Sequence, residues 1–125
     1  MAAASHSFAL FLAFLFFFPT EAKEFLVGGD ASAWSIPSSA TSEPLNGWAG
    51  TQRFQVGDTL VWKYDNKKDS VLQVSREAYL SCDKSRPVAE HSDGNTSAEL
   101  TRSGPYYFIG GAEGACEKGE KLIVV

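Results

Sequence analysis

Between residues 59 and 65 the sequence reads Thr59-Leu60-Val61-Trp62-Lys63-Tyr64-Asp65. Leu60, Trp62 and Tyr64 fall on one face of an extended chain, and Val61, Lys63 and Asp65 on the other. Alternation with period two belongs to a β-strand that turns one face to a core and the other to water. Runs of this kind recur along the chain. Strands are expected over residues 24–27, 52–56, 59–65, 70–74, 96–101, 105–109 and 121–125. The residues between them are turn formers: Gly28-Gly29-Asp30, Gly57-Asp58, the polar stretch 65–69 and Ser103-Gly104. Residues 30–50, rich in Ser, Ala, Pro and Gly, read as a long loop tied down by Trp34 and Trp48. Residues 83–94 read as a polar loop. One short helix is expected over 75–81, where Ser75 precedes Glu77 and Ala78 and no β-branched residue resists. About seven short strands in roughly 100 residues specify an all-β fold, a Greek-key sandwich.

The beginning of the chain does not share this pattern. Residues 8–18 are an unbroken apolar run rich in Phe, ended by Pro19, with Thr20 and Ala22 as small residues behind it. A membrane-spanning helix needs about 20 residues, so the run is too short to span and suits the apolar core of a secretory signal peptide. The segment before it carries His6 but no Lys or Arg. The chain is therefore divided into a signal peptide, 1–22, and one domain, 23–125, with no second apolar run and no transmembrane helix expected in the mature part. The formal net charge of −4, with no basic block, argues against nucleic acid or an anionic membrane surface as partner. Asn95-Thr96-Ser97, in a polar stretch, is an N-glycosylation sequon.

The two cysteines, Cys82 and Cys116, both lie in the mature part. An oxidising compartment allows them one intramolecular bridge, against the rival readings of two free thiols or a metal site. A bridge closing so long a loop is worth about 3–4 kcal/mol, a large share of a small domain's net stability of about 5–15 kcal/mol.

Few chemistries remain open to the rest. His91 is the sole histidine outside the signal peptide. It lies in the polar run Ala89-Glu90-His91-Ser92-Asp93, where a solvated loop residue is the simpler reading than a general base. No nucleophile elbow, phosphate-binding loop or dinucleotide fingerprint occurs. A blue-copper centre takes two His, a Cys thiolate and usually an axial Met. The mature part offers one His and no Met, because Met1 leaves with the signal. A zinc site fails on the same count, and nothing resembles a calcium-binding EF-hand loop. Trp34 and Trp48, in loops, are candidates to stack on a sugar ring, against the more usual role of Trp in a core. Trp62, on the buried face of its strand, is assigned to the core.

Read together, several stretches resemble one family. Asn46-Gly47-Trp48-Ala49, the run from Phe54-Gln55-Val56-Gly57-Asp58 through Tyr64, Tyr79-Leu80-Ser81-Cys82, Gly104-Pro105-Tyr106-Tyr107-Phe108-Ile109 and Cys116-Glu117-Lys118-Gly119-Glu120-Lys121-Leu122 resemble the phytocyanin domain of plants, in order and spacing across nearly the whole mature chain. The resemblance implies a cupredoxin-like Greek-key sandwich. It also implies where copper ligands would stand, and this sequence has Asp69, Gly110, Ala115 and Glu120 at those four positions. The disulfide positions Cys82 and Cys116 are kept. That combination is similar to the early nodulin-like proteins, a branch that keeps the scaffold without the metal.

The expectations that follow are these. No cofactor or metal is bound, and the chain is a non-enzymatic extracellular module of the cell surface or cell wall, a monomer whose partner is an extracellular glycan or cell-surface glycoprotein. The alternative is copper electron transfer, as in metal-binding relatives. Members of the branch often continue into a Pro/Ser-rich stretch and a C-terminal lipid-anchor signal. The end at Val125 leaves two readings, a soluble secreted form and a part of a longer precursor anchored to the outer face of the plasma membrane.

Overall fold

The structure, a computed structural model, describes residues 22–37 and 44–125. Apart from Ala22, the expected signal peptide lies outside the described residues. The elements run β1 (Glu24–Leu26), a 3-10 turn (Val27–Gly29), α1 (Pro44–Ala49), β2 (Thr59–Lys63), β3 (Val71–Val74), α2 (Arg76–Ser81), β4 (Ala89–His91), β5 (Asn95–Glu99), β6 (Tyr106–Gly110) and β7 (Lys121–Val124). They form two sheets. One has the order β1-β2-β5, the other β4-β3-β6-β7. β1 lies parallel to β2, and every other pairing is antiparallel. The chain passes from the first sheet to the second between β2 and β3, returns between β4 and β5, and crosses again between β5 and β6.

The period-two reading of 59–65 is borne out: Leu60 and Trp62 are fully buried while Lys63 is exposed. Trp62 is the centre of the core between the sheets. It meets Phe108 from the second sheet with ring centroids 4.8 Å apart and takes the edge of Trp34 at 6.2 Å. Val71, Leu122 and Val124 complete the same layer. A second apolar cluster, Leu72, Val74, Tyr79, Ile109 and Cys116, lies on the other face of the four-stranded sheet. That sheet is thus covered on both sides, which explains why β3 and β6 are almost continuously buried rather than alternating.

α2 is where the sequence placed it. The Ser75 side chain accepts from Ala78 N at 3.2 Å, an N-cap. The helix ends at Cys82 in the left-handed conformation, φ +53°. Cys82 is bonded to Cys116, with Cα atoms 5.7 Å apart and a sequence separation of 34.

Three expectations require correction. Residues 52–56 form no strand. The buried Asp58 accepts from Gln55 N and from Lys23 N, each at 2.9 Å, and Gly57 N donates to Leu100 O. Backbone donors that a ladder would use are bound locally by an aspartate, a common way for Asx geometry to displace a strand. Phe54 still packs inward, against Phe25 and Trp48. The expected loop 83–94 contains β4, a polar edge strand held by backbone pairing with β3; edge strands need no apolar alternation. The expected loop 30–50 contains a helix, α1, so the described residues hold two short helices rather than one. Leu45 and Ala49 give it a buried face, four residues apart. Asn46 joins it to the sheet: its Oδ1 accepts from Ile123 N at 2.8 Å and its Nδ2 donates to Tyr79 Oη at 2.8 Å.

Candidate functional site

The turn before β3 and the loop between β6 and β7 meet at one end of the sandwich. Asp69 Oδ1 accepts from Ser70 N at 2.8 Å and from Ala112 N at 3.1 Å, which ties the two segments together. Gly111 N donates to Ser70 O, and Trp34 Nε1 reaches the same carbonyl at 3.2 Å. The loop then folds back on itself. Glu120 N donates to Ala115 O and Gly110 N to Glu120 O, both at 2.9 Å. Asp69, Gly110, Ala115 and Glu120, scattered in sequence, therefore gather at one place, and Cys116 anchors the loop that carries two of them.

What fills that place is a carboxyl group. Glu120 is fully buried. A Cβ on Gly110 would collide with Glu120 Oε1 and stand 2.7 Å from its Cδ, so the Glu120 side chain takes up the room a side chain at 110 would need. No donor of the described residues reaches either Glu120 oxygen. An anion there would be buried without compensation, at a cost of several kcal/mol. Glu120 avoids this by keeping its proton. Burial first, then a hydrogen bond to Asp69 and the Asp69 charge, push its pKa up to about 9. At neutral pH this leaves Glu120 a neutral carboxylic acid beside the half-buried Asp69.

This donor set does not fit a blue-copper ion. Gly110 and Ala115 carry no donor atom, Glu120 is protonated, and both sulfurs are in the Cys82–Cys116 bridge. Copper–thiolate chemistry needs imidazole and thiolate, and neither is present at the four positions.

The remaining sequence candidates fall elsewhere. Trp34 is 3 % exposed. Buried on Trp62, it has no free face for a sugar ring, so its assignment as a stacking aromatic is corrected to a core residue. Trp48 is half-buried, beside Phe54 with centroids 5.9 Å apart. His91 is in β4; its carbonyl accepts from Tyr64 Oη at 3.1 Å, and no hydrogen bond reaches its imidazole among the described residues. Asn95 is exposed at the start of β5, opposite Lys63. Sequence reasoning missed Asp58 and Asn46, whose side chains serve the backbone, and read Glu120 only as a changed position. Aspartate after glycine in Gly57-Asp58 was a usable signal for the first.

The two-sheet architecture, with one disulfide beside the loop before its last strand, defines a cupredoxin-like domain. The solved structure of cucumber basic protein, a blue copper protein, superposes with a TM-score of 0.66 at 25% identity, covering 81% of this chain and 96% of that one. The plastocyanin-like domain family matches residues 34–120. Early nodulin-like protein 10 of Arabidopsis thaliana is 51% identical over 111 residues, 89% of this chain and 60% of the relative. Early nodulin-like protein 14 of the same plant is 47% identical over 125 residues, 100% of this chain and 68% of the relative. The chain belongs to the plastocyanin-like family, in its early nodulin-like branch. It spans about 60% of the length of the first of these relatives. Among the described residues no helix is long and apolar enough to cross a membrane.

Proposed function

We propose that this chain is a copper-free, non-enzymatic binding module outside the plant cell, and that its ligand is a glycan or a cell-surface glycoprotein. The observation that carries the first part is the buried Glu120, its pKa raised beside Asp69, where the resemblance places a metal. A scaffold whose redox position is filled by packed side chains retains its surface as the means of function. His91, the sole histidine of the expected mature chain, stands in the edge strand β4. Extracellular placement is supported by the signal peptide expected over 1–22 and by the disulfide. The exposed Asn95 supports glycosylation on the outward side of β5. Outer-face lipid anchoring would come from chain beyond Val125.

Two experiments test the proposal. Secreted, disulfide-intact protein titrated with Cu(II) is expected to develop no intense visible thiolate-to-copper band; such a band would establish a copper–thiolate centre and overturn the copper-free reading. The same protein screened on immobilised plant glycans is expected to retain a defined subset. Absence of any glycan or glycoprotein capture at millimolar sugar counts against the ligand class.

A further inference from the structure

A cleft of about 650 Å³ opens beside the acid pair, within the size range of small-molecule sites. Ile36 and Tyr64 supply the apolar surface it offers a ligand, Trp34 being buried, and Lys63, Asp65, Lys68 and Asp69 supply its charged groups. These charged groups are unevenly committed. Asp65 Oδ1 accepts from Lys67 N at 2.9 Å, and its Oδ2 has no partner among the described residues. Asp69 Oδ1 accepts from Ser70 N and Ala112 N. Lys63 and Lys68 make no ion pair among the described residues: the one bridge there joins Lys84 and Glu113, neither of which lines the cleft. The described lining carries two ammonium groups and two carboxylates and is balanced in charge.

We propose that this cleft is the ligand site, and that it takes an uncharged saccharide. The inference rests on the glycan-binding reading above and gives it a place and a chemical class. Free ammonium donors beside a free carboxylate acceptor suit hydroxyl groups, each of which donates and accepts at once. The apolar lining suits the C–H faces of a sugar ring. A charged ligand meets an opposing and a like charge together and gains little. The sequence candidate Trp48 does not line this cleft. Asn95, by contrast, is paired with Lys63 across β2 and β5, so a glycan on Asn95 stands at the cleft's rim. Binding is therefore best measured on an Asn95→Gln protein, which removes the chain's own sugar as an occupant.

The test is an amide NMR titration of ¹⁵N-labelled, disulfide-intact Asn95→Gln protein with neutral β-linked gluco- and manno-oligosaccharides, and with an oligogalacturonate as the charged comparison. The expected result is shifts at Ser32, Lys63, Asp65, Lys68 and Ala112 with a neutral sugar. The affinity should be unchanged by adding about 0.3 M salt. Lys68→Ala and Asp65→Ala, both exposed positions whose fold is checked by unchanged melting, should each weaken binding about tenfold. Shifts clustered at Trp48 or elsewhere would overturn the cleft while leaving glycan binding standing. Salt-sensitive binding of the oligogalacturonate alone would overturn the uncharged class. No binding of any saccharide would overturn both the cleft and the reading it rests on.

Discussion

The Glu120 side chain occupies the space that any side chain on Gly110 would need. Gly110 ends β6, and Glu120 lies immediately before β7. Their backbones are joined by the Gly110 N to Glu120 O hydrogen bond at 2.9 Å. A side chain at 110 and the carboxyl of Glu120 therefore compete for one volume.

Gly110→Ala is expected to destabilise the domain by about 1–3 kcal/mol through overpacking. Combining it with Glu120→Ala should recover part of that loss, because the second change clears the colliding carboxyl. A double-mutant cycle by urea unfolding measures the coupling, expected at about 1 kcal/mol or more. Simple additivity would show that the two side chains do not compete for the same volume.

Because its folded pKa is raised from 4.5 to about 9, the native state holds a proton at Glu120 that the unfolded chain releases. Stability from this group is greatest below about pH 4.5. It falls as pH rises through the interval to about 9, at up to about 1.4 kcal/mol per pH unit. Glu120→Gln keeps a neutral donor toward Asp69 and removes the titration. Its unfolding free energy is expected to gain on the wild type steadily between about pH 5 and 9. Parallel stability curves for the two proteins would contradict a protonated Glu120.

Replacing Cys82 and Cys116 together by Ala should cost about 2–5 kcal/mol. The loss has two sources: the freed loop in the unfolded chain, and the Cys116 packing against Leu72, Tyr79 and Ile109. Thermal unfolding with and without reductant measures it. A wild type unmoved by reductant would place stability elsewhere.

Asp58→Ala removes the acceptor shared by Lys23 N and Gln55 N. Both donors lie in or beside the first sheet, and a loss of about 2–4 kcal/mol is expected. Hydrogen exchange should rise first at β1 and in 52–57.

These residues also show what the chain made legible. β2 was readable because Leu60 and Trp62 face one core and Lys63 faces water. α2 was readable because Ser75 caps it. β4 was hidden because Ala89-Glu90-His91 is held by backbone pairing to β3, which leaves no side-chain pattern. α1 was hidden because Pro44 and Gly47 read as loop, although Leu45 and Ala49 carry helical spacing. Family spacing singled out Asp69, Gly110, Ala115 and Glu120 as positions. It could not show that Glu120 is buried beside Asp69 and keeps its proton, which depends on packing and on the direction of a side chain. The cleft was invisible for the same reason, since Ser32, Lys63 and Ala112 come from separate segments.

The most direct measurement is a ¹³C NMR titration of the Glu120 side-chain carboxyl in the folded protein. A midpoint near pH 9 is the expected result. A midpoint in the ordinary carboxylate range, about 4.3, would mean an ionised Glu120 able to act as a ligand and would contradict the closed acid pair.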